Sequence, residues 1–403
     1  MELFKKDRRQ ASSTLFPGSY FVFRHLALQV PPAGVQASSL PYSLTGRIIN
    51  DLVPWLQNKA QNEAGWEQFR SIDEDRIALV EPVRVLGNVA PTSWWCTNQN
   101  CNKLFTGRLS TVGIENGECP DCHQRSIVQF PAIFVCPTCH AIETVASIQC
   151  PQCRDSRAIS LRGASGRWST FRWRCSLHED FSVMLGKRCG TDQTRMVLKS
   201  AGGKVYHPEN WSKVDPISTS NVEIARGSLR FRPSRATVLN VTIARVAVAN
   251  AQDYYQGHER STKEPFLDPI SGSFIGFVSR IDTDAIVISS ANRSLHDPVT
   301  LHSLEHGLMN AAPAVTGLTQ QEFGSDLKDD GQIVFYDNVQ GGSGGSRLLA
   351  DRRLDRWLEV VRELAECHQV QCEDACRGCL FLPSTLCNKL NNELDRNTIL
   401  SLF

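Results

Sequence analysis

Fifteen cysteines stand in this chain of 403 residues, ten of them between Cys96 and Cys189 and five between Cys367 and Cys387. A disulfide framework would be spread to close loops across a small secreted fold, and it would favour an even count. Here the count is odd and most thiols sit in short C-x2-C steps, which predicts zinc. Zinc takes four soft ligands in a tetrahedron, and a C-x2-C turn delivers two thiolates to one side of the ion. Cys96-x4-Cys101 with Cys119-x2-Cys122 makes one set, and Cys136-x2-Cys139 with Cys150-x2-Cys153 makes a second. Pro120, Pro137 and Pro151 each follow a cysteine directly, as tight knuckle turns favour. Pairing Cys119/Cys122 with Cys136/Cys139 stays open as an alternative, and so do buried thiols or a redox pair.

Near the C-terminus, Cys372-x3-Cys376-x2-Cys379-x7-Cys387 supplies a third set and leaves Cys367 spare. Four thiolates fill every position of each ion, so the expected zincs are structural. Cys175, His178 and Cys189 form a weaker constellation whose fourth ligand is missing unless His207 supplies it. Buried thiols are the competing explanation there.

The rest of the chain reads as an α+β, multi-domain protein. Arg76 to Leu86, Ala236 to Ala249, Phe274 to Ser289 and Ile333 to Tyr336 are rich in β-branched and aromatic residues and predict strands. Leu44–Trp55 and Gln57–Phe69 read as two helices interrupted at Pro54. Leu301, Leu304, Leu308 and Ala312 recur at helical spacing, and one helix of about 24 residues is expected from Arg347 to Val370. Four regions follow: 1–90 α+β, 91–200 zinc ribbons, 201–298 a β-rich core, and 299–403 a C-terminal α/β zinc-binding module. Residues 91–200 lack long periodic elements, so metal ligation is expected to replace apolar burial there.

With 43 Lys+Arg against 42 Asp+Glu, a generally basic coat is excluded but a local patch is not. No run of 18 apolar residues predicts a membrane-spanning helix, and no apolar stretch follows the basic residues of MELFKKDRRQASS. A cytoplasmic location is the expectation. From Arg154 to Lys199, ten basic residues face four acidic ones. Within that stretch Arg167, Arg172 and Arg174 alternate with Trp168, Phe171 and Trp173. Guanidinium groups on phosphates and rings on bases would suit DNA. A half-buried strand with an aromatic core face and a solvated basic face is the bland alternative.

The order LHSLEHGLMNAAP, YDNVQGGSGGSRLL, then CEDACRGCLFLPSTLCNKLNNELDR resembles the zinc-binding C-terminal module of MrfA-type helicases. It also resembles DrmB, a subunit of the DISARM anti-phage system. In that module a His-containing helix precedes a strand ending in Tyr-Asp, a Gly-Gly-x-Gly loop, a helix and four cysteines that close near Leu-Asp-Arg. Leu394-Asp395-Arg396 matches the closing element, and Cys372, Cys376, Cys379 and Cys387 match the four cysteines. The resemblance is specific over about 300–400. It implies anti-phage defence or DNA repair in company with a helicase. No G-x-x-x-x-G-K-[ST] occurs in these residues, so a stand-alone, non-enzymatic partner of a helicase is the expectation.

Two catalytic look-alikes compete with that expectation. His302-x2-Glu305-His306 has the H-x-x-E-H spacing of inverted zinc peptidases, with Asp326 or Asp337 as further candidates for a metal-dependent hydrolase or nuclease. A core-packing helix is the alternative. Asp337 before Gly341, Gly342, Gly344 and Gly345 makes a strand–loop–helix able to cradle a phosphate, or simply a tight turn. A protein scaffold that never touches nucleic acid remains a third functional class.

Overall fold

The computed structural model describes residues 16–402 apart from 24–25, 32, 64, 110–111, 115, 131, 137–140, 157, 164–169, 179, 192, 201–205, 248–262, 269, 292–294, 296, 370–371, 377 and 383–393. The fold is α+β. The chain divides into two compact units: Met1–Asn210 with Thr242–Tyr254 and His258–Val278, and Trp211–Val241 with Tyr255–Gly257 and Ser279–Phe403. Residues 201–298 are thus shared between the two units.

The first unit opens with β1 (Tyr20–Phe23), β2 (Leu26–Gln29) and β3 (Val35–Ser39), followed by helix α1 (Tyr42–Asn62). The helix runs unbroken through Pro54, where two helices were expected. Asn50 and Pro54 both lie on the exposed face, so the carbonyl that the proline leaves unbonded can bond water instead. The opposite face buries Ile48, Ile49, Leu52, Leu56 and Ala60. β4 (Ile77–Val85) falls where a strand was expected and pairs with β3.

After β5 (Asn88–Val89) come nine short strands: β6 (Ser93–Cys96), β7 (Leu104–Thr106), β8 (Ile127–Gln129), β9 (Ala132–Val135), β10 (Ile142–Thr144), β11 (Ile159–Arg162), β12 (Arg172–Cys175), β13 (Ser182–Met184) and β14 (Val197–Ser200). They form three sheets of three strands, ordered β7-β6-β8, β10-β9-β14 and β11-β12-β13. Two buried side chains tie the first sheet to its surroundings. Gln129 exchanges hydrogen bonds with the Ala27 backbone at 2.6 and 3.0 Å, and the Ser93 hydroxyl donates to the Val145 carbonyl at 2.7 Å.

Five further strands follow: β15 (Tyr206–Thr219), β16 (Ile224–Arg226), β17 (Leu229–Ala247), β18 (Lys263–Pro265) and β19 (Phe274–Ser290). The two long strands lie where strands were expected, apart from 248–249, which fall outside the described residues. In the first unit, the start of β19 runs parallel to β4 with Phe274 opposite Ile77, and β18 pairs with the end of β17.

In the second unit, β20 (Phe323–Leu327) and β21 (Ile333–Asp337) complete a sheet ordered β15-β17-β19-β21-β20. Strand alternation sends Ile333 and Phe335 to one face and Val334 and Tyr336 to the other. The first face packs beneath α2 (Pro298–Thr316), α3 (Gly345–Arg352) and α4 (Leu354–Ala365), and a short α5 (Arg396–Leu400) follows. The expected single helix is broken at Arg353, where the backbone leaves helical geometry at φ −126°. The break lets Leu354, Trp357, Leu358 and Val361 turn onto the core. α2 starts cleanly, because Asp297 accepts the Thr300 N–H at 2.8 Å and Pro298 occupies the first turn.

Candidate metal centres

Each centre can be built from its turns. β6 ends in Cys96, whose N–H donates to Lys103 O at 2.9 Å as the chain doubles back into β7. A second turn begins at Cys119, whose N–H donates to Gln124 O, while His123 returns its own N–H to Cys119 O at φ +56°. These turns bring Cys96, Cys101, Cys119 and Cys122 together, as the spacing predicted. The Sγ atoms of Cys96 and Cys122 lie 3.7 Å apart, as do those of Cys101 and Cys119. A zinc tetrahedron with Zn–S of about 2.3 Å has S···S edges of about 3.8 Å. The Ser126 hydroxyl lies 3.0 Å from the Cys96 sulfur and the Asn98 amide donates to Cys122 at 3.6 Å, which suits sulfurs that carry charge.

The second centre is a correction. Cys150 and Cys153 close on Cys175 and His178, and Cys136 is not among the group. The cause is a non-local ladder: β11 pairs with β12 so that Ile159 faces Cys175, which carries the end of β12 to the Cys150 turn. His178 Nδ1 lies 3.6 Å from Cys150 Sγ and 3.5 Å from Cys175 Sγ, and Cys153 lies 3.7 Å from Cys175. One Zn–N bond of about 2.0–2.1 Å beside Zn–S bonds predicts mixed edges of roughly 3.5–3.6 Å. Cys175-x2-His178 was visible in the sequence as a ligand step, but its partner was not. Cys136 is buried elsewhere in the same cluster and Cys139 lies outside the described residues. The side chain of His207, the suggested fourth ligand of the weaker constellation, is also outside them.

The third centre takes in one cysteine that was not expected there. Cys367, Cys372, Cys376 and Cys379 converge, whereas Cys387 lies outside the described residues. α4 stops at Ala365 and the chain turns, with the Cys367 N–H on Leu364 O, so the cysteine taken as spare points into the group. Cys367–Cys376, Cys372–Cys379 and Cys376–Cys379 are each 3.7 Å apart. The Cys376 N–H donates to the Cys379 sulfur at 3.1 Å and the Gly378 N–H to the Cys376 sulfur at 3.3 Å. The missed signal was the Cys367-x4-Cys372 step, which repeats the Cys96-x4-Cys101 spacing.

The electrostatics fit a cation in each cluster. Burial works against a charged Cys122, but the Gln124 backbone N–H and the neighbouring thiols outweigh it and bring its pKa down to about 7. Burial meanwhile pushes Cys101 and Cys372 well above the ordinary thiol value. A cluster that ionises one thiol at the expense of its neighbours needs a dication to hold four thiolates at once. Zinc fits all three donor sets in number, softness and edge length.

His302, Glu305 and His306 also bring their ligand atoms within 4.8 Å of one another on α2. His306 is buried, and its Nδ1–H donates to Leu380 O at 2.8 Å. One turn on, Asn310 donates to Cys379 O at 2.8 Å. The helix is thereby pinned to the third centre through the backbone of its last knuckle. Burial lowers His306 to about 4, and burial raises Glu305 to about 7 although the Ser325 hydroxyl donates to it at 2.6 Å.

The glycine loop is a tight turn. Buried Asp337 accepts the Gly345 N–H at 3.1 Å and the Ser346 N–H at 2.7 Å, so the carboxylate occupies the helix end where a phosphate was considered.

On β12 the alternation expected of a half-buried strand is what folds. Phe171, Trp173 and Cys175 face the core, while Arg172 and Arg174 are exposed. Phe171 packs edge-on against Trp95 and Phe130 with ring centroids 5.6 and 5.5 Å away. Trp173 is therefore not open for stacking on a base. Arg167 and Trp168 lie outside the described residues. The ladder adds Arg162, exposed and directly opposite Arg172, a pairing of like charges invisible in the linear sequence.

Among the described residues no helix is long and apolar enough to cross a membrane. Residues 304–380 match the family model of the MrfA Zn-binding domain, a span that includes the whole third centre and His306. Among solved structures, the chain is similar to the DUF1998 helicase MrfA bound to DNA, with 12% identity over 54% of this chain and 29% of that one and a TM-score of 0.32. A second structure of the DUF1998 helicase MrfA gives 13% identity, 56% and 28% coverage and a TM-score of 0.33. Its complex with DNA and AMPPNP gives 11%, 63%, 34% and 0.22. The chain thus spans about a third of the length of the helicase structures it matches. No curated protein matches it. The chain has a MrfA-type zinc-binding segment, and its cofactor is zinc.

Proposed function

We propose that this chain is a non-catalytic, zinc-binding, DrmB-like subunit of a prokaryotic anti-phage defence complex of the DISARM type. It works in the cytoplasm, joins a helicase subunit through its C-terminal module and touches DNA through the arginine face of the second ribbon. The observation that carries this reading is the match of residues 304–380 to the zinc-binding domain of MrfA, which is itself a helicase. Exposed Arg162, Arg172 and Arg174 on one sheet face supply a phosphate-binding surface, with Trp173 turned to the core. The purified chain is expected to hydrolyse no ATP. Its DNA affinity is expected to fall with salt, and Arg172→Ala with Arg174→Ala should flatten that slope by about 2. ATP hydrolysis by the lone chain, or a salt slope untouched by the double variant, contradicts the proposal.

A second reading, a metal-dependent hydrolase or nuclease, rests on the convergence of His302, Glu305 and His306. Divalent-metal-dependent cleavage of DNA or peptide that Glu305→Gln abolishes would favour it. The bond from His306 to the third centre supports the structural role instead.

A further inference from the structure

Three sheets of three strands occupy the ribbon region, and two of them carry a pair of ligand turns that closes on a metal centre. The third, β10-β9-β14, is built to the same plan. In the first ribbon the central strand β6 runs into Cys96, a turn returns the chain as β7, and a later turn at Cys119 leads into β8 on the other side of β6. In the third sheet the central strand β9 runs into Cys136, β10 pairs antiparallel along one side of it, and a later turn at Cys189 leads into β14 on the other side of β9. The spacing is close rather than identical: Cys96 faces Ile127, eight residues past Cys119, whereas the β9–β14 register pairs Val135 with Val197 and so brings Cys136 level with Met196, seven residues past Cys189.

The turns at Cys119 and Cys189 match bond for bond, and those at Cys150 and Cys136 each show one of the same two bonds. Cys119 donates its N–H to the carbonyl five residues on at 2.9 Å, and His123, four residues on, donates back to Cys119 O at 2.9 Å with φ +56°. Arg154 donates to Cys150 O at 2.7 Å with φ +56°. Cys189 donates to Thr194 O at 2.8 Å, and Gln193 donates to Cys189 O at 3.0 Å with φ +57°. Cys136 donates to Ala141 O, again five residues on, at 2.9 Å. A left-handed backbone is costly for residues such as Arg and Gln. Its recurrence at one offset from three buried or ligating cysteines marks a ligand turn. Cys136 and Cys189 are 0% and 1% exposed and lie in one buried cluster. The hairpin that carries Cys189 is closed on itself by the Arg188–Arg195 bridge and the Met196 N–H on Lys187 O.

We propose that Cys136 and Cys189 are ligands of a fourth zinc ion, one from each turn of this third ribbon. The inference is independent of the functional proposal above.

Native mass spectrometry of the intact wild-type chain, backed by elemental analysis, tests it directly. Four zinc ions per chain are expected, with Cys136→Ser and Cys189→Ser each lowering the count by one. Cys189→His, which supplies a nitrogen ligand in place of the sulfur at the same turn, should keep it at four. A wild-type count of three, or a Cys189→Ser variant that keeps every zinc of the wild type, overturns the proposal. The wild-type count decides the matter even if the serine variants fail to fold.

Discussion

The first ribbon and the C-terminal module both gather four cysteines, yet they bury them in different company. Around the first centre the buried cluster is Cys96, Cys101 and Cys119 themselves, with Phe105, Ile127 and Cys122 only partly buried beside them. Around the third centre Cys372 and Cys379 join a large apolar core that includes Leu304, Leu308, Phe335, Trp357 and Val361. In the ribbon the metal stands in for a core. In the module it finishes one. Gly307 shows how closely that core is packed, since a methyl group there would meet the Val361 side chain at 3.1 Å.

The largest effect that would break this contrast is zinc removal. Chelation should unfold the first ribbon outright, because structural zinc is worth about 10 kcal/mol or more of folding free energy. Amide exchange should then lose protection at β6–β8 but keep it in α2 and α4, with local opening confined to residues around 366–382. Loss of α2 protection together with the ribbon would refute the contrast.

Trp357→Ala inverts the test. Trp357 is fully buried, packs tilted against Phe335 with centroids 4.9 Å apart and donates its indole N–H to Leu308 O at 3.0 Å. Its truncation should cost about 3–5 kcal/mol in the C-terminal module by denaturant titration while the first ribbon keeps its zinc. Asp337→Ala, which strips two N–H acceptors from the start of α3, should cost about 1–3 kcal/mol by the same measurement.

The smallest effect is one of pH. His306 is lowered from its ordinary 6.5 to about 4, so between those values the unfolded chain takes up a proton that the fold refuses, and stability falls as pH falls. Glu305 is raised from 4.5 to about 7, so the fold holds a proton that the unfolded chain releases, and stability rises as pH falls through that window. The two nearly offset each other between pH 6.5 and 4.5. Glu305→Gln should unmask the histidine, giving a urea midpoint that drops on acidification across this range. A midpoint as flat as that of the wild type would contradict the assignment.

What the sequence disclosed follows from how local each signal is. Cys96 to Cys122 were readable as one set because both turns lie on neighbouring strands of a single small sheet. The strands at β4, β19 and β21 were readable from β-branched runs of the right length. The partner of Cys150 and Cys153 was not, because a ladder between β11 and β12 decides it, and no spacing rule contains that pairing. Cys367 was set aside because four cysteines already followed it, although its x4 step carried the information. Pro54 read as a helix break because a sequence does not show which face of a helix meets water. Trp173 read as a stacking platform for the same reason: its alternation with arginines was clear, but the side that faced the core was not.

The central claim is that the sulfur tetrahedra are zinc centres, and X-ray absorption at the zinc edge of the intact chain tests it most directly. The account predicts a first shell dominated by sulfur at about 2.3 Å with a minor nitrogen contribution near 2.0–2.1 Å, most of which disappears in His178→Ala. A shell dominated by oxygen or nitrogen at about 2.0–2.1 Å would place the metal at sites other than these cysteines and contradict the account.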